Sequence, residues 1–298
     1  MRPYQWVKNV FVFVPLIFSK NLFELPLFTE ALLTFFAFSM AASAIYVVND
    51  IADREYDKMH PVKRDRPIAS GQVAVKEGWG LSILLLVGSF IFLSFVSTRL
   101  PVGLAIAGYI AINLFYSFRL KRVVLIDLFV IAVGFILRIL AGGFAIDVKV
   151  SSWLIMTTLF ISIFLGVAKR RGEFVLVGNS YDDPTRKVLS DYDLSLIDQI
   201  LSVSAASVII TYALYSVSER TVRAFHTESL IFTTVFVTYG IFRYLYLVHK
   251  MGLGENPTKV LFTDKPMVVN TALYVISVVA ILYKQELIGF IGRYVPLS

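Results

Sequence analysis

The sequence predicts an all-α polytopic membrane protein, on the basis of its composition, its hydropathy and the position of its charges. Of 298 residues, 57% are hydrophobic and only 16% are charged, whereas soluble domains average about 45–50% apolar and about 25% charged residues. The mean hydropathy is +0.73, and most charged residues lie between long apolar runs. This composition excludes a disordered chain, a fibrous repeat and an ordinary soluble enzyme. Because the sequence contains no cysteine, it also excludes thiol catalysis and disulfides.

Nine apolar segments are predicted to be helices that cross the membrane, each of which needs about 20 residues. They cover residues 9–23, 28–50, 79–98, 101–117, 123–146, 151–168, 195–217, 229–248 and 268–291. Pro15 interrupts the first segment, and a basic start before a short apolar run would also fit a signal peptide. No small-residue cleavage site follows it, so we expect a span. We expect one transmembrane domain over residues 1–298.

The distribution of positive charge predicts the orientation of the chain in the membrane. Nineteen of the 28 Lys and Arg residues lie at the N-terminus or in alternate connections, which are 51–78, 118–122, 169–194 and 249–267. Cytoplasmic loops are enriched in Lys and Arg, so we predict a cytoplasmic N-terminus and a functional site that faces the cytoplasm. The net charge of +7 then reflects topology and anionic ligands at a membrane surface rather than nucleic-acid binding.

A cluster of acidic residues closes the second apolar segment. Asn49, Asp53 and Asp57 follow one another at intervals of four residues, which places them on one face of a helix, and Asp50 lies at the edge of that face. Such oxygen ligands suit Mg²⁺, which binds through one or two carboxylates together with the phosphates of a substrate. The alternative is a solvated helix end whose carboxylates pair with nearby Lys and Arg. Because the cluster extends to membrane depth, where carboxylates tend to be functional, we favour a metal–diphosphate site.

Basic residues lie where an anionic substrate would need them. Lys63 and Arg66 directly follow the acidic cluster and could neutralise phosphate oxygens that a metal brings in. Arg138 lies inside the fifth segment, where a charged side chain is expected to contact a ligand in a cavity. Asp127, near the start of the same segment, could be a structural partner. The chain has only three histidines, so we expect no histidine metal site.

The acidic cluster resembles a motif of the UbiA prenyltransferase superfamily. Residues 49–57 match its pattern Asn-Asp-x-x-Asp-x-x-x-Asp, and Tyr116 with Lys121 matches its Tyr-x-x-x-x-Lys element. The resemblance covers the whole chain. It implies a bundle of about nine transmembrane helices around a central cavity that is open to the cytoplasm and laterally to lipid. It also implies that Mg²⁺ holds a diphosphate in that cavity.

Further motifs resemble one subfamily, the decaprenyl-phosphate phosphoribosyltransferases. Aromatic prenyltransferases of the superfamily carry a second motif, Asp-x-x-x-Asp, after the sixth span. Here no two aspartates of the 169–198 region are four residues apart, and Lys169, Arg170 and Arg171 stand there instead. Residues 2–9, 60–71 and 137–143 are similar to the subfamily, which transfers phosphoribose from 5-phosphoribosyl 1-diphosphate to a polyprenyl phosphate for cell-wall arabinan. A donor with a separate 5-phosphate needs more cations, which arginine and lysine supply.

The resemblance assigns roles to individual residues. It implies that Asn49, Asp53 and Asp57 hold Mg²⁺ and that Asp50, Asp53 and Asp57 are catalytic. The residues expected to bind the soluble donor are Lys8, Tyr46, Lys63, Arg66, Tyr116 and Lys121, while Arg138, Lys169 and Arg170 are expected at the donor 5-phosphate or the lipid phosphate. It further implies a homotrimer in the bacterial inner membrane.

Two alternatives remain from the sequence. The first is a prenyltransferase that moves a prenyl group from a prenyl diphosphate to an aromatic or lipid acceptor, and the missing Asp-x-x-x-Asp motif disfavours it. The second is a transporter, because charges at the membrane midplane also mark transport pathways. Most charges here lie at the cytoplasmic rim, which disfavours transport.

Overall fold

A computed structural model describes residues 3–59, 63–118, 120, 123, 125–177, 193–252, 260 and 263–284. In these ranges the regular structure is helical, with no strand. A 3-10 helix, Pro3–Phe13, opens the chain. The α-helices are α1 Val14–Ile17, α2 Leu25–Ala52, α3 Arg54–Met59, α4 Val75–Ser94, α5 Arg99–Phe118, α6 Ile126–Ala145, α7 Ser152–Val177, α8 Leu194–Val217, α9 Glu219–Phe225, α10 Thr234–Lys250 and α11 Lys265–Leu282.

Within the described ranges, eight helical stretches are long and apolar enough to cross a membrane. They are α2, α4, α5, α6, α7, α8, α10 with the 3-10 turn Ser229–Thr233 that precedes it, and α11. They coincide with the second to ninth predicted segments. The prediction of an all-α, multi-pass membrane protein is therefore confirmed, whereas the count of nine spans and the central cavity stay predictions.

The first predicted segment differs most from expectation. Instead of one helix over 9–23, the chain forms the 3-10 helix Pro3–Phe13 followed by the single-turn α1, and the apolar helical stretch Gln5–Ile17 is shorter than a typical span. Pro15 lies in the first turn of α1, where its missing N–H costs no helical hydrogen bond. Shortly after α1, Lys20 adopts a left-handed conformation with φ 62°, so the helix cannot continue.

The described residues divide into two compact units, one before Ser151 and one from Ser151 onward. In the first unit, α2 packs against the N-terminal 3-10 helix and against α4, α5 and α6. Its contact face carries small residues, including the fully buried Ala31, Ala37 and Ala41, which let helix backbones approach closely in a membrane. Ser89 of α4 donates to the Ala37 carbonyl at 2.8 Å and so ties α4 to α2.

The second unit contains α7 to α11. Here α7 packs along α8, and α10 packs along α11. Arg243 of α10 donates to Asp264, the residue that caps α11, at 3.1 and 2.8 Å. Tyr212 of α8 is hydrogen-bonded to Thr233 at 2.6 Å. The expectation of a single domain over 1–298 stays a prediction.

The N-terminal 3-10 helix lies directly on α6 at a glycine. A methyl group added to Gly142 would lie 2.0 Å from the carbonyl oxygen of Val12, so only glycine allows this approach. Trp6 donates to Ser43 of α2 at 2.9 Å and fixes the other side of the 3-10 helix. The segment that carries Lys8 is therefore held between α2 and α6.

Candidate active site at the end of α2

The acidic cluster lies where α2 ends and α3 begins. Asp53 separates the two helices with φ −95° and ψ 4°, yet the four-residue hydrogen-bond pattern continues across it. The Asp53 amide donates to the Asn49 carbonyl at 2.9 Å, and the Asp57 amide donates to the Asp53 carbonyl at 2.8 Å. These bonds keep Asn49, Asp53 and Asp57 in helical register, as their spacing predicts.

Arg66 joins two carboxylates of this cluster. Its Nη1 lies 2.6 Å from Oδ2 of Asp57 and 3.2 Å from Oδ1 of Asp50. The Asp57 side chain is only 6% exposed and that of Asp50 15%, whereas that of Arg66 is 27% exposed. A carboxylate as buried as that of Asp57 needs a cation close by, and Arg66 supplies it.

The loop between α3 and α4 determines the position of Arg66. After the 3-10 turn Lys63–Asp65, the Arg66 amide donates to the Lys63 carbonyl at 3.0 Å, and the Arg66 carbonyl accepts from Ser70 at 2.8 Å. Ile68 is 6% exposed and packs into an apolar cluster formed by α2 and α4. Buried apolar contact thus anchors the loop, and Arg66 reaches back toward the acidic cluster.

The opposite side of α3 is a solvated ion-pair surface. Lys58 donates to both carboxylate oxygens of Glu55 at 2.9 Å, and Arg54 lies 3.8 Å from the same carboxylate. The hydrogen bond from Lys58 lowers the pKa of Glu55 below its ordinary value. The solvated helix end that we considered as an alternative therefore describes Glu55 but not Asp50 or Asp57.

Ser117 of α5 contacts the first residue of the acidic cluster, a partner that the sequence analysis missed. Its hydroxyl donates to Oδ1 of Asn49, and its oxygen also lies 2.8 Å from the carbonyl oxygen of Asn113. Ser117 is only 5% exposed. The available sequence signal was its position next to Tyr116, where a polar residue ends an apolar segment. The contact fixes the orientation of the Asn49 amide.

Arg138 is buried in a network of protein partners. Its Nε donates to Oδ1 of Asn9 at 2.7 Å, Nη1 to the Gly134 carbonyl at 2.6 Å, and Nη2 to the Tyr109 hydroxyl at 3.3 Å. The guanidinium lies over the rings of Phe38, Tyr109 and Phe135, at 5.0, 4.7 and 5.3 Å. These contacts hold the N-terminal 3-10 helix against α6. The predicted role of Arg138 as a phosphate ligand stays a prediction.

The remaining predicted site residues fall into three groups. The first group belongs to the first unit together with the acidic cluster. It consists of Lys8 on the N-terminal 3-10 helix, Tyr46 on α2, Lys63 in the 3-10 turn after α3, and Tyr116 on α5. Lys169 and Arg170 belong to the second unit, where Arg170 pairs with Glu173 at 2.7 Å and Lys169 lies 3.9 Å from it. Lys121 lies outside the described residues.

In the described part of the chain, no three Asp, Glu or His side chains lie close enough together to hold a metal ion by themselves. What it offers is a set of oxygen atoms in helical register on Asn49, Asp53 and Asp57, with Asp50 beside them. Two of these carboxylates are already paired with Arg66.

Solved structures share the fold of this chain. A UbiA homolog from Archaeoglobus fulgidus, solved with GPP and Mg²⁺ bound, superimposes with a TM-score of 0.69, covering 94% of this chain and 97% of the archaeal one. Their sequences are 16% identical, so this likeness concerns the fold alone.

Sequence relatives extend over almost the whole chain. The decaprenyl-phosphate phosphoribosyltransferase of Corynebacterium glutamicum is 34% identical over 288 residues, which is 95% of this chain and 85% of the relative. The Mycolicibacterium smegmatis protein of the same name is 30% identical over 293 residues, covering 95% and 91%. Residues 10–170 match the UbiA prenyltransferase family. Because that match covers more than half of the chain and these relatives align nearly end to end, the chain belongs to the UbiA prenyltransferase family.

Proposed function

We propose that the protein transfers 5-phosphoribose from 5-phosphoribosyl 1-diphosphate to a polyprenyl phosphate such as decaprenyl phosphate, releasing diphosphate. The observation that carries this proposal is the likeness over 95% of the chain to two proteins named decaprenyl-phosphate phosphoribosyltransferase. The absence of a second Asp-x-x-x-Asp motif and the basic run that begins at Lys169 support it, because this donor carries an additional phosphate. The product would be a precursor of cell-wall arabinan and arabinogalactan.

The acidic cluster fits Mg²⁺. Asn49, Asp53 and Asp57 would hold the ion, since their oxygens are hard ligands in helical register. Mg²⁺ usually combines one or two protein carboxylates with substrate phosphates, so a cluster of protein ligands alone is not required. Oδ1 of Asn49 accepts from Ser117, and a carbonyl oxygen has a second lone pair to offer. When bound, Mg²⁺ supplies neutralisation of the negative charge on the leaving diphosphate.

The chain itself would bind and orient the donor. Lys8, Lys63, Arg66, Tyr116 and Lys121 would contact its phosphates and ribose, with Tyr46 and Asp50 beside them. In the reaction the bond between ribose C1 and the diphosphate breaks, and an oxygen of the lipid phosphate bonds to C1. Positive charge develops at C1, as in glycoside chemistry. The lipid phosphate is already an anion at neutral pH, so catalysis consists mainly of positioning and charge stabilisation.

Further elements of the proposal concern the acceptor and the cell. Arg138, Lys169 and Arg170 would contact either the 5-phosphate of the donor or the phosphate of the lipid. The site would face the cytoplasm, with the N-terminus on the same side of a bacterial inner membrane. We also propose a homotrimer.

One alternative activity is supported by a specific observation. The family to which the chain belongs is named for prenyl transfer, and the archaeal structure was solved with the prenyl donor GPP. A prenyltransferase would use the same diphosphate site. The missing second aspartate motif weighs against it.

A donor experiment distinguishes the two activities. Purified protein receives Mg²⁺ and decaprenyl phosphate together with labelled 5-phosphoribosyl 1-diphosphate. A parallel sample receives labelled prenyl diphosphate with 4-hydroxybenzoate. We expect label to enter the lipid phase only from the phosphoribosyl donor, and to require Mg²⁺. Transfer only from the prenyl donor would overturn the proposal and establish the alternative.

A further inference from the structure

We infer that Arg66 is a tethered cation that occupies the acidic cluster in place of the metal, so that the metal and the diphosphate each bind more tightly when the other is bound. The inference rests on the metal–diphosphate site of the proposed function, and it adds how that site is filled. It concerns a competition between a side chain of the protein and a divalent cation for the same carboxylates.

The competition follows from two ion pairs. One nitrogen of Arg66, Nη1, lies 2.6 Å from Asp57 and 3.2 Å from Asp50. That nitrogen carries two N–H groups, so it can donate one to each carboxylate. A divalent cation that used Oδ2 of Asp57 would therefore compete with the Arg66 guanidinium for that oxygen.

Because the Arg66–Asp57 pair is partly buried, it is unfavourable for a metal ion alone to displace Arg66 from the carboxylate. Asp57 is 6% exposed and Arg66 27%. Removing one partner of a partly buried ion pair leaves the other charge without compensation, which costs free energy. A metal ion that displaced Arg66 would leave a guanidinium without a counter-ion beside an additional double positive charge.

A diphosphate removes this penalty. The backbone of Arg66 is held by its bonds to Lys63 and Ser70 and by buried Ile68, so the displaced guanidinium stays close to the cluster. Phosphate oxygens are well matched partners for arginine, since they accept two parallel N–H bonds. Arg66 can then move from carboxylate to phosphate while the metal takes its former position. Metal and diphosphate thus each strengthen the binding of the other, by the same factor.

The test compares two ligands in Arg66→Ala. Mn²⁺ replaces Mg²⁺ as a paramagnetic probe, and its binding without diphosphate is measured by electron paramagnetic resonance. Binding of labelled inorganic diphosphate is measured separately at saturating Mg²⁺. We expect Arg66→Ala to bind Mn²⁺ about tenfold more tightly and diphosphate about tenfold more weakly, within the usual range of coupling between sites. If the substitution only disrupted the local structure, the binding of Mn²⁺ and the binding of diphosphate would both be weaker.

Two further variants keep the test decisive. Arg66→Lys retains the charge but cannot reach both carboxylates with the same geometry, so it should shift both affinities in the same directions by a smaller factor than Arg66→Ala. Arg66→Lys also replaces Arg66→Ala in both binding measurements if Arg66→Ala fails to fold. Arg64→Ala removes an exposed arginine two residues away and should leave both affinities unchanged.

The outcomes separate this inference from the proposed function. Unchanged or weaker Mn²⁺ binding in both Arg66 variants overturns the inference while the metal site stands. Absence of Mn²⁺ binding in the wild-type protein, even with diphosphate, overturns the metal site and the inference together. If the donor experiment identifies a prenyl donor, the inference remains testable, because both donors carry the diphosphate used here.

Discussion

Asp53 occupies a different position from the carboxylates on either side of it. It stands between α2 and α3, where the backbone departs from α-helical geometry, while its amide and carbonyl keep both helices in register. Asp50 and Asp57 share the Arg66 cation. Among the three aspartates, Asp53 is therefore the one that does not pair with Arg66.

Replacing Asp53 with alanine should abolish turnover without unfolding the protein. We expect the rate of phosphoribosyl transfer at saturating Mg²⁺ to fall by at least about 100-fold, since an electrostatic contact to the leaving group is lost. The thermal midpoint should stay within a few degrees, because Asp53 is only half-buried. Asp65→Ala, an exposed carboxylate in the following loop, is the matched control and should retain the wild-type rate. Full activity in Asp53→Ala would contradict the proposal that Asp53 is a ligand of Mg²⁺.

Ser117 should act on metal affinity through Asn49. Removing its hydroxyl in Ser117→Ala frees the Asn49 amide to rotate. Loss of such an indirect partner typically weakens metal binding or activity about 10- to 100-fold, so we expect the Mg²⁺ concentration for half-maximal rate to rise by at least about tenfold. The rate at saturating Mg²⁺ should change much less.

The control for Ser117 is Ser94→Ala on α4. The Ser94 hydroxyl bonds only to the Ile91 carbonyl of its own helix, so its loss should leave the Mg²⁺ dependence unchanged. An equal fall in rate at all Mg²⁺ concentrations in Ser117→Ala would show that Ser117 acts otherwise than by orienting Asn49.

At the scale of elements, the N-terminal 3-10 helix determines where Lys8 lies. Trp6 and Asn9 tie it to Ser43 and Ser39 of α2 at 2.9 Å each. On its other side the Val12 carbonyl lies against Gly142 of α6. A long 3-10 helix has poorer hydrogen-bond geometry than an α-helix, so these tertiary contacts stabilise a conformation that would not persist alone.

Gly142→Ala should displace the 3-10 helix. Its methyl group would lie 2.0 Å from the Val12 oxygen, so the backbone must shift, at a cost of about 1–3 kcal/mol for overpacking. We expect a thermal midpoint several degrees lower and, because Lys8 moves with the helix, a raised KM for the phosphoribosyl donor. Gly80→Ala on α4 meets no atom within 4 Å, so it should leave KM unchanged and should not lower the midpoint, because alanine is the better helix former. An unchanged midpoint in Gly142→Ala would mean that this approach of the two helices is not rigid.

Arg138→Lys distinguishes the structural contacts of Arg138 from its predicted role at a phosphate. Lysine keeps the charge but cannot serve Asn9, Gly134 and Tyr109 together, and each buried group left unsatisfied costs about 1–3 kcal/mol. We expect a lower thermal midpoint from these lost contacts and, from the proposed phosphate contact, a raised KM for the donor or the lipid. A lower midpoint with an unchanged KM for both substrates would overturn the proposed phosphate contact and leave Arg138 its structural contacts only.

At the scale of the whole molecule, the chain can be tested directly for its orientation because it contains no cysteine. Ser70→Cys and Lys149→Cys each introduce one thiol at an exposed position, and α4, α5 and α6 lie between them in the sequence. We expect an impermeant maleimide to label position 149 in spheroplasts and position 70 only in inside-out vesicles. Labelling in the opposite pattern would reverse the predicted topology.

Much of the fold could be predicted because hydropathy is a strong signal in membrane helices. The second to ninth apolar segments coincide with the eight candidate spans in the described residues. The first segment could not be assigned from hydropathy, which does not distinguish a 3-10 helix from an α-helix. The conformation over Pro3–Phe13 depends on contacts with Ser39, Ser43 and Gly142, and these are distant in sequence.

The candidate site was partly predictable for a similar reason. The register of Asn49, Asp53 and Asp57 depends on local helical geometry, which spacing alone indicates. The pairing of Arg66 with Asp50 and Asp57 requires the loop to fold back through buried Ile68. Such tertiary contacts have no periodic signature in the sequence. The Ser117 contact with Asn49 joins residues 68 positions apart, so it was equally hidden.

The burial of Arg138 has a consequence for how the protein is made. An arginine at the centre of a membrane helix opposes insertion by about 2.5–3.5 kcal/mol. Its partners Asn9, Phe38, Tyr109 and Gly134 all precede it in the chain, and synthesis begins at the N-terminus. By the time α6 leaves the ribosome, every residue that contacts the Arg138 guanidinium has already been synthesised. The order of residues along the chain therefore favours insertion of α6 into the bilayer, because the partners of the Arg138 charge are already present when α6 inserts.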